Sequence, residues 1–374
     1  MLDVSGDVAP GFGPVADAFR ENFQSHGDIG AACAVVVDGA KVVDLFAGRS
    51  RPDTVWTTAT RSVVFSVSKG ITAICLIMAS ERHYLDLDLP VAQYWPEFAA
   101  HGKDRITVRQ LLAHRAGLVY PAIPLSPADI QDWTPTAEVL AAQAPEWQPD
   151  ETFAYHPITM GFLAGEVLRR TTGLKPSEWL EKYVTAPLGL TMTFGADGNS
   201  PDFAPIIPPV VEGAVPYPPD ELVVAEKAMT MSGAYEADFF NGANGDVFLG
   251  SESPGANLVS TARDLARLYG ATVADVDGTR LLEDDSIDRA TRPLSQGQPF
   301  YGADEGNIWG TGFMLHSRRR GMAGPGSFGH DGAGGQLAFA SPKHRLGFAY
   351  QTVQAGLQTD LRAELLSRAL RECL

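Results

Sequence analysis

The stretch RSVVFSVSKGITAICLIMASER, residues Arg61 to Arg82, joins a short β-prone run to a segment that is apolar on almost every side. Arg61–Phe65 reads as a strand, and Ser66 to Arg82 reads as a helix. From Ile71 to Ala79 the helix has no polar face, and such a helix belongs inside a protein. Ser66 opens it. Lys69 follows three residues later and shares its face. An ammonium inside a protein is costly unless its pKa falls. A lysine made neutral in this way can accept the proton of a neighbouring serine. The N-terminus of the helix also offers backbone N–H groups to a developing oxyanion. Ser68 is the competing hydroxyl, but the residue three positions beyond it is Ile71.

Outward from this segment the chain reads as helix, strands, a long helical middle, strands, helix. Pro14 to His26 carries Val15, Phe19 and Phe23 at spacings of four, which suits an amphipathic helix. Ala31–Val37 and Lys41–Ala47 are β-prone and flank Asp38-Gly39, a two-residue hairpin signal. Thr107 stands near the N-cap of a helix running to His114. Thr159–Thr172 and Pro176–Tyr183 read as further helices. Residues 201–256 are rich in Pro, Gly and aromatics without a period. They read as long ordered loops anchored by Tyr217, Tyr235, Phe239 and Phe240. Strand signals return at Gly312–His316, Gln336–Ala340 and Leu346–Thr352. A last helix, from about Gln358 to Arg371, carries Leu361, Leu365, Leu366 and Leu370 as a stripe. An early hairpin is not a stable sheet by itself. The simplest arrangement pairs it with the C-terminal strands in one antiparallel sheet covered by the terminal helices.

The chain has 374 residues, of which 45% are apolar and 20% charged. That is an ordinary globular balance, long enough for one large domain or two moderate ones. The formal charge of −16 repels phosphate backbones and anionic headgroups, so nucleic acid is not an expected partner. The three cysteines, Cys33, Cys75 and Cys373, form no CxxC pair and suggest neither zinc nor a redox motif. Their odd number fits a reducing compartment. The opening MLDVSGDVAPGFGP lacks the basic-then-apolar order of a signal peptide. No apolar run is long enough to cross a bilayer. The expectation is a soluble, cytoplasmic protein with no membrane partner.

Two other segments carry chemistry. One is WQPDETFAYHP, Trp147 to Pro157, which delivers Tyr155 just ahead of a helix. The other is FGHDGAGG, Phe328 to Gly335, whose glycines permit close backbone approach to a ligand. Alone, each has a plain reading: a core tyrosine and a hairpin turn. A chain of this size shows roughly one S-x-x-K by chance at average residue usage. It is their order that is specific.

That order resembles the class C β-lactamases and D-alanyl-D-alanine peptidases: S-x-x-K, then Tyr, then a K-T-G-type strand. ITVRQLLAHRAGL, Ile106 to Leu118, is similar to the "ITV-x-x-LL-x-H-x-x-GL" stretch of this superfamily. STARDLA, Ser260 to Ala266, is similar to its "ST-x-x-D-L-A" helix start. Together the matches cover the chain from about residue 30 to its end. Two departures stand out. Tyr155 is followed by His156 and Pro157, where β-lactamases place Tyr-x-Asn, and His330 replaces the lysine of the third motif. Both resemble the family VIII carboxylesterases, which often read "YH" and "HGGAGG" at these points. Losing the lysine removes a fixed charge that would bind the carboxylate of a β-lactam or a D-Ala terminus. Neutral esters are favoured.

The resemblance implies an α+β fold of the two-domain serine β-lactamase/D-Ala peptidase type. Residues 1–60 and 255–374 are expected to form the sheet domain and 61–254 the mainly helical one, with the active site between them. It implies Ser66 as nucleophile, with Lys69 and Tyr155 sharing the proton transfers and the identity of the base left open. The backbone N–H groups of Ser66 and Ala333 would form the oxyanion hole. His330, Gly332 and His156 would bind substrate, with His330 lining the site and hydrogen-bonding Tyr155. His114 is expected to pack inside its helix. No His, Cys and carboxylate grouping has metal-ligand spacing, so no metal and no cofactor are expected. The expected activity is a carboxylesterase acting on small to medium neutral acyl esters through an acyl-serine. The same site also suits a β-lactamase, a D-amino-acid peptidase, an amide hydrolase or an acyltransferase. A non-catalytic binding protein of the same fold is the distant alternative. The partner is a small-molecule ester or amide; the sequence sets no oligomeric state.

Overall fold

Asp38 and Gly39 both take positive φ, 49° and 78°, the turn geometry that matches the twist of a tight hairpin. The computed structural model of the protein describes residues 3–209, 219–357 and 360–374. Its main sheet contains β1 (Val4–Val8), β2 (Gly30–Val37), β3 (Ala40–Arg51), β4 (Ser295–Gln296), β5 (Ile308–Trp309), β6 (Met314–Leu315), β7 (Phe328–Asp331), β8 (Leu337–Ser341) and β9 (Leu346–Thr352). The strand order is β1-β3-β2-β9-β8-β7-β6-β5-β4, and Thr54–Val55 pairs with the end of β3. Every pairing along this path is antiparallel. The two ends of the chain meet where β2 pairs with β9, from Val37↔Leu346 to Ala31↔Thr352. This is the arrangement that the sequence reading expected as the simplest. The fold class is α+β, a main antiparallel sheet with helices on both faces.

The principal helices are α1 (Gly13–Ser25), α2 (Val67–Glu81), α3 (Thr159–Thr172), α4 (Pro219–Thr230), α5 (Ala262–Val273) and α6 (Arg362–Glu372). Side chains alternate along each strand of the sheet. Cys33, Val35, Phe339, Phe348 and Tyr350 pack with Val15 and Phe19 of α1 and Leu366 and Leu370 of α6. Ala34, Val36, Phe328, Ala338 and Ala349 belong to the other core, which also holds the buried residues of α2, α3 and α5. At Gly347 this face has no side chain because α5 lies close to it. A Cβ on Gly347 would stand 2.1 Å from the Ala266 carbonyl oxygen and 2.2 Å from the Gly270 nitrogen.

Several segments differ from expectation. Ser62–Val63 is the only strand in the β-prone run Arg61–Phe65. It joins Leu258–Ser260 and Thr193–Phe194 in a small separate sheet. Within residues 201–256, read as loops, the chain forms α4 and the short helices Phe239–Gly242 and Asp246–Gly250. Helices of four and five residues are too short to show a period. The aromatic anchors do pack: Tyr235 lies edge-on to Phe248 at 5.2 Å. Tyr217 lies outside the described residues. The final helix begins at Arg362, and Gln358 also lies outside the described residues. Among the described residues no helix is long and apolar enough to cross a membrane.

The start of α6 is tied to the rest of the fold by a buried charge pair. Arg362 donates from Nη1 to Asp28 Oδ1 at 2.6 Å and from Nη2 to Asp360 Oδ2 at 2.6 Å. Tyr350 and Thr352 donate their hydroxyls to the same Asp28 carboxylate. Removing one member of a buried pair leaves the other charge uncompensated. Arg362→Met should therefore lower the unfolding free energy by about 3–5 kcal/mol in urea titration. A loss below about 1 kcal/mol, the scale of an exposed pair, would show that Asp28 does not depend on this guanidinium.

Candidate active site

Ser66 is the residue just ahead of α2, at φ −67° and ψ −8°. Phe65 before it is buried and takes φ +46°. A left-handed phenylalanine costs of order 1–3 kcal/mol and persists only where its surroundings impose it. Here Phe239 and Phe240 pack on its ring, with centroids at 5.2 and 5.7 Å. The Phe65 carbonyl accepts the Ser68 hydroxyl, and Ser68 Oγ in turn accepts the Leu258 N–H at 2.9 Å. Ser68 therefore shapes the turn, and Ser66 faces the cavity.

Lys69 is 0% exposed, one turn into α2. Its Nζ lies 2.5 Å from the Pro157 carbonyl, 2.7 Å from the Gly255 carbonyl and 3.0 Å from Ser66 Oγ. Two carbonyls take two N–H donors, so the remaining direction on the nitrogen is Ser66. Burial pushes the Lys69 pKa down to about 7, against an opposing pull from the charge of Asp331. In its neutral form the amine presents its lone pair to the serine hydroxyl.

The carbonyl partners come from elsewhere in the chain and require close backbone contact. A Cβ on Gly161, in the first turn of α3, would sit 2.0 Å from the Gly255 nitrogen. Thr72 Oγ1 donates to the Pro254 carbonyl at 2.7 Å. Segment 254–258 is thus stapled to the first turns of α2.

Tyr155 OH donates to Ser66 Oγ at 2.8 Å. Its ring lies against His114, Trp309 and His330, with centroids at 4.9, 6.1 and 6.0 Å. Lys69 Nζ is 4.9 Å from its centroid. Burial raises the phenol well above its usual pKa, although the bond to Ser66 opposes this. Tyr155 is therefore protonated at neutral pH.

The structure brings Ser66, Lys69 and Tyr155 together. It corrects two of the expected substrate contacts. His156 is fully buried and does not face the cavity. Its Nδ1 lies 2.6 Å from the Ala154 carbonyl, and its Nε2 accepts the Leu118 N–H at 3.0 Å. Burial lowers its pKa to about 4, so the ring is neutral and both nitrogens are committed to backbone. With the His114 Nδ1 accepting the His156 N–H at 3.2 Å, the two histidines brace the loop that carries Tyr155. His330 is also buried beneath the cavity wall rather than in it. Its Nδ1 meets the Asp331 carbonyl at 2.7 Å, and among the described residues its Nε2 has no hydrogen-bond partner, Tyr155 included.

Gly332 and Ala333 do line the cavity. Gly332 passes Val64 so closely that a Cβ would stand 2.3 Å from the Val64 carbonyl oxygen. Among the described residues, neither the Ser66 nor the Ala333 backbone N–H donates to an acceptor. Unpaired N–H groups beside a nucleophile suit an incoming carbonyl oxygen. The cavity measures about 920 Å³; Phe65, Phe153, Phe239, Phe240, Trp309 and Met314 are among the residues that wall it, with Ser66 and Tyr155 on its surface.

Sequence reasoning missed Asp331 and Arg320, which also line the cavity. Arg320 donates from Nε to Asp331 Oδ2 at 2.7 Å, and its Nη2 binds the same oxygen. The signal was present: Asp331 stands where the "HGGAGG" pattern has glycine. Among the described residues no group of His, Cys, Asp and Glu could hold a metal ion.

Comparison with known proteins places the chain in a family. The sequence profile of the β-lactamase family matches residues 15–371. The chain is 32% identical over 366 residues to "Esterase/beta-lactamase LipL" of Mycobacterium tuberculosis, covering 92% of this chain and 82% of that protein. Its fold superposes on the crystal structure of a family VIII carboxylesterase with a TM-score of 0.86 at 30% identity, covering 100% of both chains. It also superposes on a penicillin-binding protein homologue from Caulobacter crescentus with a TM-score of 0.87 at 31% identity, again over 100% of both.

The lowered Lys69 pKa sets the sign of a pH dependence. Below about 7 the amine carries a proton and cannot take that of Ser66; above it the lone pair is free. Labelling of Ser66 by a fluorophosphonate should fall about tenfold per pH unit below that point and level off above it. His156, neutral down to about 4, adds no limb in this range. A labelling rate flat from pH 5 to 9 would contradict the assignment of Lys69 as proton acceptor.

Proposed function

We infer the activity from one premise: the chain belongs to the β-lactamase family. The enzyme is a serine hydrolase, and we propose that it is a carboxylesterase acting on small to medium neutral acyl esters. The observation that carries the reading is the Ser66 hydroxyl, within 3.0 Å of Lys69 Nζ and 2.8 Å of Tyr155 OH, at the surface of a cavity with several aromatic walls. The esterase names of two similar proteins support the substrate class. So does His330, a buried imidazole where a β-lactamase would carry a lysine.

In this reading neutral Lys69 takes the proton of Ser66 as Oγ attacks the acyl carbon. The oxyanion of the tetrahedral intermediate accepts the N–H groups of Ser66 and Ala333. Tyr155 passes the proton to the departing alcohol, leaving acyl-Ser66 with Lys69 and Tyr155 neutral again. Water then attacks the acyl-enzyme, losing its proton by the same route, and Ser66 is regenerated. The raised pKa of Tyr155 argues for a phenol that relays protons and against a phenolate base. Gly332 gives the turn its close approach to the reacting carbonyl. A cytoplasmic location accompanies this reading, supported by three free cysteines.

Replacing Ser66 with Ala should reduce hydrolysis of p-nitrophenyl butyrate by roughly 10⁴-fold or more, the scale of losing a nucleophile, with the thermal unfolding midpoint preserved. Wild-type turnover of this ester should exceed that of a chromogenic cephalosporin. Faster turnover of the cephalosporin would reverse the assignment in favour of a β-lactamase, and residual ester turnover in Ser66→Ala would remove Ser66 from the mechanism.

A further inference from the structure

Asp331 ends β7, one residue before the Gly332–Ala333 turn, and its side chain is 23% exposed. A carbonyl oxygen bound by the Ala333 N–H would sit two residues along the chain from this carboxylate. The substituents of that carbonyl then share a cavity with it. Arg320 places both Nε and Nη2 on Asp331 Oδ2, so its fork is committed to one oxygen. Among the described residues the other oxygen, Oδ1, has only His330 Nδ1 at 3.4 Å, and that nitrogen sits closer to the Asp331 carbonyl, at 2.7 Å. Oδ1 keeps acceptor capacity. The charge of Arg320 holds the Asp331 carboxyl far below the usual carboxylate range despite its burial, so it remains ionised at any working pH.

The other charges around the cavity reinforce its sign. Glu221, Asp304, Glu305, Asp360 and Glu364 also line it, against Arg319 and Arg320. Asp360 is paired with Arg362 and Glu364 with Arg371. Lys69, the cation nearest the nucleophile, is neutral when it acts as base. Carboxylates outnumber guanidiniums in the lining, and an excess of one sign between low-dielectric walls concentrates the opposite sign.

We propose that the Asp331–Arg320 pair is a charge filter in the acyl cavity, which selects against esters whose acyl chain carries a carboxylate and admits neutral or cationic ones. The proposal rests on the esterase reading above. Asp331 repels a substrate carboxylate and at the same time occupies the guanidinium that would otherwise bind it in two-pronged fashion. A cationic acyl chain meets the free Oδ1.

Three p-nitrophenyl esters of equal acyl length test this on the purified full chain: hexanoate, 6-(trimethylammonio)hexanoate and the monoester of adipic acid. In the wild type, kcat/KM for the carboxylate ester should be at least tenfold below that of the hexanoate, with the cationic ester equal to or above it. Asp331→Asn frees Arg320 and should shrink the hexanoate-to-carboxylate ratio at least fivefold. A ratio cancels any general change in the chemical step or in the fraction of folded enzyme. Arg320→Gln leaves Asp331 in place and should keep the discrimination. Equal turnover of the three esters by the wild type would overturn the filter without recourse to any variant, as would an unmoved ratio in Asp331→Asn. Turnover of none of the three would remove the esterase reading itself and the filter with it.

Discussion

A lysine nitrogen sealed inside the protein, with carbonyl oxygens rather than carboxylates as its partners, is the constraint on which the site depends. Pro157 and Gly255 supply those oxygens at 2.5 and 2.7 Å from Lys69 Nζ. Neutral acceptors satisfy an amine without stabilising its charge as an ion pair would, so burial dominates and the pKa falls. Three separate parts of the chain must meet for this to happen: the first turn of α2, the start of α3 and segment 254–258. Glycines at 161 and 255 make the meeting possible, since a Cβ on Gly161 would stand 2.0 Å from the Gly255 nitrogen and one on Gly255 would stand 2.9 Å from the Ile158 carbonyl oxygen. The same convergence brings Tyr155 in just ahead of α3, with its hydroxyl on Ser66.

The stability of the fold and the shape of the Gly332–Gly335 turn are linked through one side chain. Arg362 Nη2 donates to the Gly334 carbonyl at 3.3 Å and to the Gln354 carbonyl at 2.8 Å, while its Nη1 pairs with Asp28. Gly334 follows Ala333 directly, and the Gly356 N–H also donates to its carbonyl, at 2.9 Å. The turn that presents the Ala333 N–H is thus held from behind by a buried network that joins the loop before β2, the end of β9 and the start of α6. On the opposite side of the nucleophile, Phe65 is held in its left-handed conformation by Phe239 and Phe240. The serine stands between two braced segments, which suits a reaction that needs donors in place before charge develops.

Much of this was legible in the sequence where local pattern and tertiary role coincide. The apolar run after Ser66 has no polar face, so burial of Lys69 followed directly from periodicity. Asp38-Gly39 specified the hairpin because its turn demands positive φ at both residues. The β2–β9 pairing followed because an early hairpin needs strands from elsewhere. Other features were not legible because distant backbone decides them. His156 looked like a ligand for substrate beside Tyr155, but both its nitrogens are taken by the Ala154 carbonyl and the Leu118 N–H. His330 sits on the strand that builds the cavity wall, yet the pleat points it beneath the surface, and its successor Asp331 lines the cavity instead. Arg320 acquires meaning only from the Asp331 carboxylate it meets. The helices at 239–242 and 246–250 are too short for a period to declare them.

The claim that burial turns Lys69 into a base is tested most directly by observing its own titration. Heteronuclear NMR of protein labelled at the lysine Nζ, followed from pH 5 to 11 and assigned with Lys69→Arg, reports that nitrogen alone. The account predicts one lysine titrating near 7, lost in the variant, with the solvated lysines titrating above it. A Lys69 resonance that stays protonated to pH 10 would contradict it, and the proton of Ser66 would need another acceptor.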